Sequence, residues 1–310
     1  MKIRMISSAV LAAALLAGPA MAQTPPVAGA PESTAAKAFY TFPDAAPTEN
    51  ICQQPNGDIY VTMMDTKKVV KISPAGVASD FVQVPEALSV IGVACGDTEI
   101  AISIFTKNFR TPAGGPVFTD TGTHLKFYDL AGKLKADVAA PADVAINGFD
   151  YAGNGTYYGG DSNSGTVFKI DSRTHAITPW FRDASFNPTP PNQLFGLNGV
   201  RAKNGWVYFS GIAKNGLFKV KIGANGAAEG GAVPVQMGLR IDDFDVADDG
   251  SAYFPNGRIL FKVAPNGLVT PIADPIQGGP SALVSNDNKT VYWPTRGGNA
   301  AQRVMQVSIP

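Results

Sequence analysis

Short apolar runs recur along the chain, each preceded by a turn signal or a polar stretch: Ile59-Tyr60-Val61, Ile100-Ala101-Ile102, Tyr157-Tyr158-Gly159, Val207-Tyr208-Phe209, Ala252-Tyr253-Phe254 and Val291-Tyr292-Trp293. Runs of this length, bounded by Asn-Gly, Asp-Gly and Pro-Asn-Gly, read as β-strands joined by tight turns. Their central residues lie 41, 57, 50, 45 and 39 positions apart, a mean of about 46, and a period of that size marks a repeat architecture. A second element fixes the register. Val70-Lys71-Ile72, Phe168-Lys169-Ile170, Phe218-Lys219-Val220 and Phe261-Lys262-Val263 each set a Lys between two apolar residues, 11, 11, 11 and 9 positions after the preceding Tyr. Such alternation sends apolar side chains to one sheet face and Lys to the other. Pro74-Ala75-Gly76 and Pro265-Asn266-Gly267 then turn the chain into a fourth strand.

Each repeat is thus a four-stranded antiparallel meander. Six of them predict an all-β chain, a six-bladed β-propeller, in which blades pack face to face and leave only short outer edges. A β-sandwich or a pair of smaller β domains is the alternative, but neither needs six self-similar units. Residues 38–42 precede the first repeat and the strand around Val304 to Ile309 ends the last, so the N-terminal strand is expected to join the final blade and close the ring.

Composition narrows the classes. Gly (33) and Pro (24) punctuate the 310 residues too often for long helices. Lys+Arg and Asp+Glu balance at 25 each, with no basic run, which leaves no electrostatic footprint for nucleic acid. Residues 1–22 have Lys2 and Arg4, then an apolar run, then Ala20-Met21-Ala22, the pattern of a cleaved signal peptide. Residues 23–37 are Pro/Ala-rich and read as a flexible leader, and 38–310 as the propeller. Past residue 22 the charge is 23 basic against 25 acidic residues, and no later stretch is long and apolar enough to span a membrane. The expectation is a soluble monomer in the periplasm or outside the cell, binding a small molecule.

The first strand of each blade lines the central channel, so counting back from the Tyr positions identifies a ring: Glu49, Val90, Asn147, Asn198, Asp242 and Ser281. Two carboxylates and two carboxamides at matched positions are hard oxygen donors suited to a divalent cation, Ca²⁺ foremost, with Mg²⁺ or Mn²⁺ as alternatives. The other reading is that they only hydrogen-bond the backbone of the mouth, as Asp and Asn do in turns. By strand direction two long insertions, residues 105–122 and 180–197, lie on the same face as Glu49. They supply Phe109, Phe118, Phe186 and Phe195, which either line a ligand pocket or pack the loops onto the blades. His124 and His175 fall on peripheral strands or turns, which argues against a His dyad or a Ser-His-Asp triad. Cys52 and Cys95 sit in neighbouring first strands with like parity. Packed sheets about 10 Å apart argue against a bridge and the convergence of blades near the axis argues for one, and both outcomes stay open.

Thr48-Glu49-Asn50-Ile51, Ile146-Asn147-Gly148-Phe149-Asp150, Leu197-Asn198-Gly199-Val200 and Ile241-Asp242-Asp243-Phe244, in that order and blade register, resemble the six-bladed senescence-marker-protein/gluconolactonase family and its luciferin-regenerating and strictosidine-synthase-like relatives. The resemblance implies a divalent metal, with Zn²⁺ also open, held by Glu49, Asn198 and Asp242. It also implies that Asn147 contacts substrate or completes the shell, and that a cyclic ester is hydrolysed with Asp242 assisting a water. Sugar-lactone members place an Arg shortly before the Asn that Asn147 matches. This chain has Val144-Ala145-Ile146 there, which points away from polyhydroxylated lactones. Two readings follow: a metal-dependent hydrolase of a small lactone or ester, or a non-catalytic binding propeller of the NHL type for a small molecule, glycan or protein. A synthase of the strictosidine-synthase kind lacks an identifiable Glu base.

Overall fold

The structure, a computed structural model, describes residues 36–43, 45–107, 121–189, 195–274, 276–296 and 301–309. The signal segment 1–22 and residues 23–35 of the leader lie outside the described residues. Six sheets, each of four antiparallel strands, follow one another along the chain. Blades one to five each take four consecutive strands. Their inner strands are Thr48–Gln53, Ser89–Cys95, Ile146–Tyr151, Leu197–Lys203 and Asp245–Val246. Blade six starts at Leu283–Val284, continues through Thr290–Pro294 and Arg303–Ser308, and takes the N-terminal strand Lys37–Thr41 as its outermost member. Lys37 pairs with Gln306 and Thr41 with Arg303, so the ring closes as expected, one residue earlier than the repeat pattern placed it. Among the described residues no helix is long and apolar enough to cross a membrane.

The alternation of apolar residues has a direct counterpart in the packing. Each interface between adjacent blades holds its own buried cluster: Tyr60 with Ile102, Phe127 with Phe149, Tyr158 with Val207, Tyr208 with Phe244, Tyr253 with Trp293, and Ile51 with Val304. Every sheet therefore buries both faces near the axis. The strand lysines are half-buried, with Lys71 beside Asp58 at 3.6 Å and Lys219 over the Trp206 ring at 4.7 Å, aliphatic stems packed and ammonium groups at the surface. His124 bonds Asp137 on the outermost strand of blade two, and His175 lies against the Phe127 ring. Neither approaches the axis.

Candidate functional site at the upper mouth of the channel

In blades one to four the inner strand carries a one-residue β-bulge near its start, seen as a register shift between Thr48 and Ile51, Val90 and Val93, Ile146 and Phe149, and Leu197 and Val200. A bulge re-aims side chains at a barrel or channel rim. Here it turns Glu49, Asn147 and Asn198 toward the axis at the face where the inner strands begin, the upper mouth. The register also corrects the predicted ring. Cys52, Ala94, Asp150, Arg201, Asp245 and Leu283 all pair opposite matched residues of their second strands. Three positions back from each gives Glu49, Ile91, Asn147, Asn198, Asp242 and Pro280. Val90 is instead fully buried between blades one and two, and Ser281 lies one level deeper. Counting back takes eleven residues in every blade but the fourth, where it takes ten, whereas the first hairpin is also one residue shorter in blade two and is one longer in blade six than in blade one.

At the mouth Asn198 Nδ2 donates to Asp242 Oδ1 at 2.7 Å. Arg296, from the loop between the second and third strands of blade six, ion-pairs with Glu49. Its Nη1 lies 3.7 Å from Asp242 Oδ2, and its Nε donates to the Thr48 carbonyl at 3.0 Å. Asn147 is 7% exposed, and its Oδ1 is buried with no hydrogen-bond partner among the described residues. Burial, and secondarily the neighbouring Asp243, pushes the Asp242 carboxyl up to about 6, against the pull of Arg240 and the Asn198 hydrogen bond. Burial likewise brings the Arg296 guanidinium down to about 10. The other side of the mouth is apolar: Ile91, Phe105 and Ala145 are buried together, with Met64 and Phe195 packed against them.

Beneath this ring the channel is closed. Asn50, Gly92, Gly148, Gly199, Asp243 and Ser281 form the next level. The Asp243 carboxylate accepts from Asn50 Nδ2 at 2.8 Å, Ser281 Oγ at 3.0 Å and Arg201 Nη2 at 3.0 Å. The backbones crowd so closely that a Cβ on Gly92 would collide with the Asn147 carbonyl, and one on Gly199 with Asp243 Oδ1. That packing, not turn geometry, requires glycine at both positions.

The predicted residues thus fare differently. Glu49, Asn198 and Asp242 meet around Arg296, and Asn147 occupies the matching bulge of blade three. Phe195 belongs to the apolar side of the mouth. Phe186 does not line it: at 1% exposure it packs edge-on to Phe209 and Phe218 with the Lys214 ammonium over its ring, fixing the connection onto the blades. Phe109 and Phe118 lie outside the described residues. Arg296 escaped the sequence reading because no motif surrounds it. Yet its loop joins second and third strands and so falls on Glu49's face by the same rule that located the aromatic insertions.

The donor set fits a hard divalent cation. Glu49 and Asp242 supply two negative charges, and the unpartnered Asn147 Oδ1 is an acceptor without a donor. Among the described residues no three His, Cys, Asp or Glu cluster for a metal, so a cation here would depend on the carboxamide oxygens, in competition with Arg296 for the carboxylates.

No family model matches the chain, and no curated protein matches it. Solved structures do. A gluconolactonase from Xanthomonas campestris superposes with a TM-score of 0.65 at 12% identity, over 88% of this chain and 89% of that one. A luciferin-regenerating enzyme gives 0.64 at 10% identity, over 89% and 95%. The calcium-binding protein regucalcin from Agrobacterium tumefaciens gives 0.62 at 14% identity, over 88% and 92%. The chain shares their six-bladed fold. At such identities fold is what is shared, and function has to be argued from the site.

Proposed function

We propose that the chain hydrolyses a small lactone or ester with the help of a divalent cation, calcium first, held at the upper mouth by Glu49, Asn198, Asp242 and Asn147. The observation that carries this reading is the meeting of Glu49, Asn198 and Asp242 beside Arg296 across from an apolar cluster, with Asn147, whose Oδ1 is buried without a partner among the described residues, in the matching bulge of blade three. The likeness in fold to a gluconolactonase and to a calcium-binding protein supports it. A bound cation would polarise the ester carbonyl as a Lewis acid. The chain's own residues do the rest. Asp242, ionised at neutral pH, accepts a proton from the attacking water. Asn198 Nδ2 holds one Asp242 oxygen, leaving the other for that proton. Ile91, Phe105 and Phe195 receive the apolar part of the substrate, in keeping with a lactone poorer in hydroxyls than an aldonolactone. An extracytoplasmic location belongs to the proposal, and the Cys52–Cys95 disulfide suits an oxidising compartment.

One observation favours a binding propeller instead: Arg296 compensates Glu49 and Asp242 without any added cation. A panel of apolar lactones and aldonolactones, assayed with Ca²⁺, Mn²⁺, Mg²⁺ or Zn²⁺ and again with chelator, separates the two. Turnover that chelator abolishes and added metal restores is expected. Ligand binding without turnover under every condition would transfer the assignment to the binding propeller.

A further inference from the structure

A bulge leaves a backbone amide outside the regular ladder, and that amide still needs a partner. Opposite each bulge, on the second strand, stands one residue: Thr62 in blade one, Ser103 in blade two, Gly160 in blade three and Ser210 in blade four. The three hydroxyls are fully buried, and each makes the same kind of double contact. Thr62 Oγ1 accepts the Asn50 N–H at 2.8 Å and donates to the Ile91 carbonyl at 2.7 Å. Ser103 Oγ accepts from Gly92 at 2.8 Å and donates to the Asn147 carbonyl at 3.2 Å. Ser210 Oγ accepts from Gly199 at 2.8 Å and donates to the Asp242 carbonyl at 2.9 Å. A hydroxyl offers one proton and two lone pairs, so it holds the bulge of its own blade and a ring residue of the next at once.

The three contacts differ in consequence. Thr62 and Ser103 each have a partner on the apolar side of the mouth, at Ile91 or in its bulge. Ser210 alone of the three joins two polar ring positions, the bulge that carries Asn198 and the backbone of Asp242. Those two residues also meet through their side chains, Asn198 Nδ2 donating to Asp242 Oδ1 at 2.7 Å. The Gly199 N–H already leans toward the Asp242 carbonyl at 3.2 Å. Without the hydroxyl, that amide and that carbonyl have only each other. Gly199 cannot yield, because a Cβ there would already overlap Asp243. The backbone of Asp242 has to shift instead, and its carboxylate moves with it. Blade three shows the arrangement without a hydroxyl: Gly160 makes room for the Asn198 carbonyl, which a Cβ at that position would meet at 2.9 Å.

We infer that Ser210 is the positioning residue of the Asn198–Asp242 pair, its hydroxyl fixing the separation of two inner strands and so the direction of the Asp242 carboxylate. Its bearing on rate rests on the role proposed above for Asp242; its bearing on geometry does not. The test reads the Asn198 side-chain amide by NMR in the intact, isotope-labelled protein, where the bond to Asp242 shows as a downfield shift and slowed exchange with solvent. Ser210→Ala is expected to move that signal upfield and to speed its exchange about tenfold, the size of one hydrogen bond's net contribution. Ser103→Ala, which removes the same two bonds two blades away, should leave the Asn198 signal in place. Ser210→Thr, with the residue blade one uses, should keep the wild-type signal. If Ser210→Ala does not fold, Ser210→Gly, with the residue of blade three, takes its place. Where a lactone or ester is turned over, kcat of Ser210→Ala should fall about tenfold with KM little changed, and recover in Ser210→Thr. An Asn198 signal unmoved by Ser210→Ala, or moved equally by Ser103→Ala, would overturn the assignment. A wild-type protein without turnover would count against the hydrolase alone, since the amide signal decides the role of Ser210 by itself.

Discussion

The two mouths of one channel carry similar residues in different employment. At the lower mouth Asp150 accepts the Ala202 N–H of the next blade, and Asp245 accepts that of Val284, likewise one blade on. Those carboxylates tie neighbouring inner strands together and are spoken for by the backbone. At the upper mouth Glu49, Asn198 and Asp242 meet other side chains, and Asn147 Oδ1 has no hydrogen-bond partner among the described residues. Only three positions along the chain separate Asp242 from Asp245. The bulge decides the difference in blades one to four: residues within it face the open mouth, and those after it return to regular pairing and lie within reach of the adjacent blade's backbone. A repeat fold thereby sets one ring of side chains that meet other side chains and one ring bound to backbone on the same inner strands.

That contrast can be broken most sharply at Asp242. Asp242→Ala is expected to lower kcat/KM by about 10²- to 10⁴-fold with little change in melting temperature. Asn147→Ala should lose less, and steady-state kinetics beside thermal melts would measure both. A loss of stability matching the loss of rate would mean the upper ring is structural too. Arg201→Met probes the lower half. It leaves Asp243 and Asp245 buried without their guanidinium, which typically costs about 3 to 5 kcal/mol, read by urea unfolding. Arg296→Met, on the part-exposed upper side, should change stability by less than about 1 kcal/mol. The lower wall is also covalently fastened: Cys52 and Cys95 are bridged with their Cα atoms 5.7 Å apart across blades one and two. The double Cys→Ser variant should lose on the order of 4 kcal/mol for a loop of 43 residues, and denatured unreduced protein should titrate with no free thiol.

A further effect is expected on pH dependence. Burial pushes the Asp245 carboxyl up to about 6, Arg201 opposing and Asp150 adding to the rise. The folded state therefore holds a proton that the unfolded chain, with an ordinary Asp, releases between about pH 4 and 6. The penalty is full above about 6 and fades as pH falls toward 4. From that group alone, stability should rise by up to about 3 kcal/mol on acidification. The difference in unfolding free energy between wild type and Asp245→Asn, followed from pH 7 to 4.5, isolates it from carboxylates such as Asp137 and Asp248, which pull the other way.

Much of this arrangement can be read from the chain. Alternation and turn dipeptides specify strands, the period specifies six blades, and Glu49, Asn198 and Asp242 follow from register. What fails is hairpin arithmetic in blades two and six. Asn204-Gly205, with φ of 52° and 76°, closes the first hairpin of blade four in two residues and Asp97-Thr98 closes that of blade two in two, while the other blades use longer loops. Hairpin length depends on local turn chemistry, so Ile91 and Pro280 were displaced by one. Arg296 and the Asp150-Arg201-Asp245 row depend on contacts between elements far apart in sequence, for which a single strand carries no periodic signal. The disulfide was open for the same reason: sheet spacing varies from rim to axis, and only the assembled ring sets the distance at Cys52.

The closure of blade six has a kinetic consequence. Lys37–Thr41, made before any other strand of the propeller, finds its partner only in Arg303–Ser308, made after the strands of the other five blades. Until then Phe39 and Tyr40 lack the Leu283 and Val304 side they pack against. Every other blade can pair its strands as it emerges, with local turns that close fast. The last one requires the two ends of the chain to meet, and the entropy of that meeting, although it grows only slowly with chain length, falls on one step. Completion of the ring thus waits on the third strand of blade six, and a truncation that removes Arg303–Ser308 would leave an early strand exposed along its edge, open to pairing with another molecule.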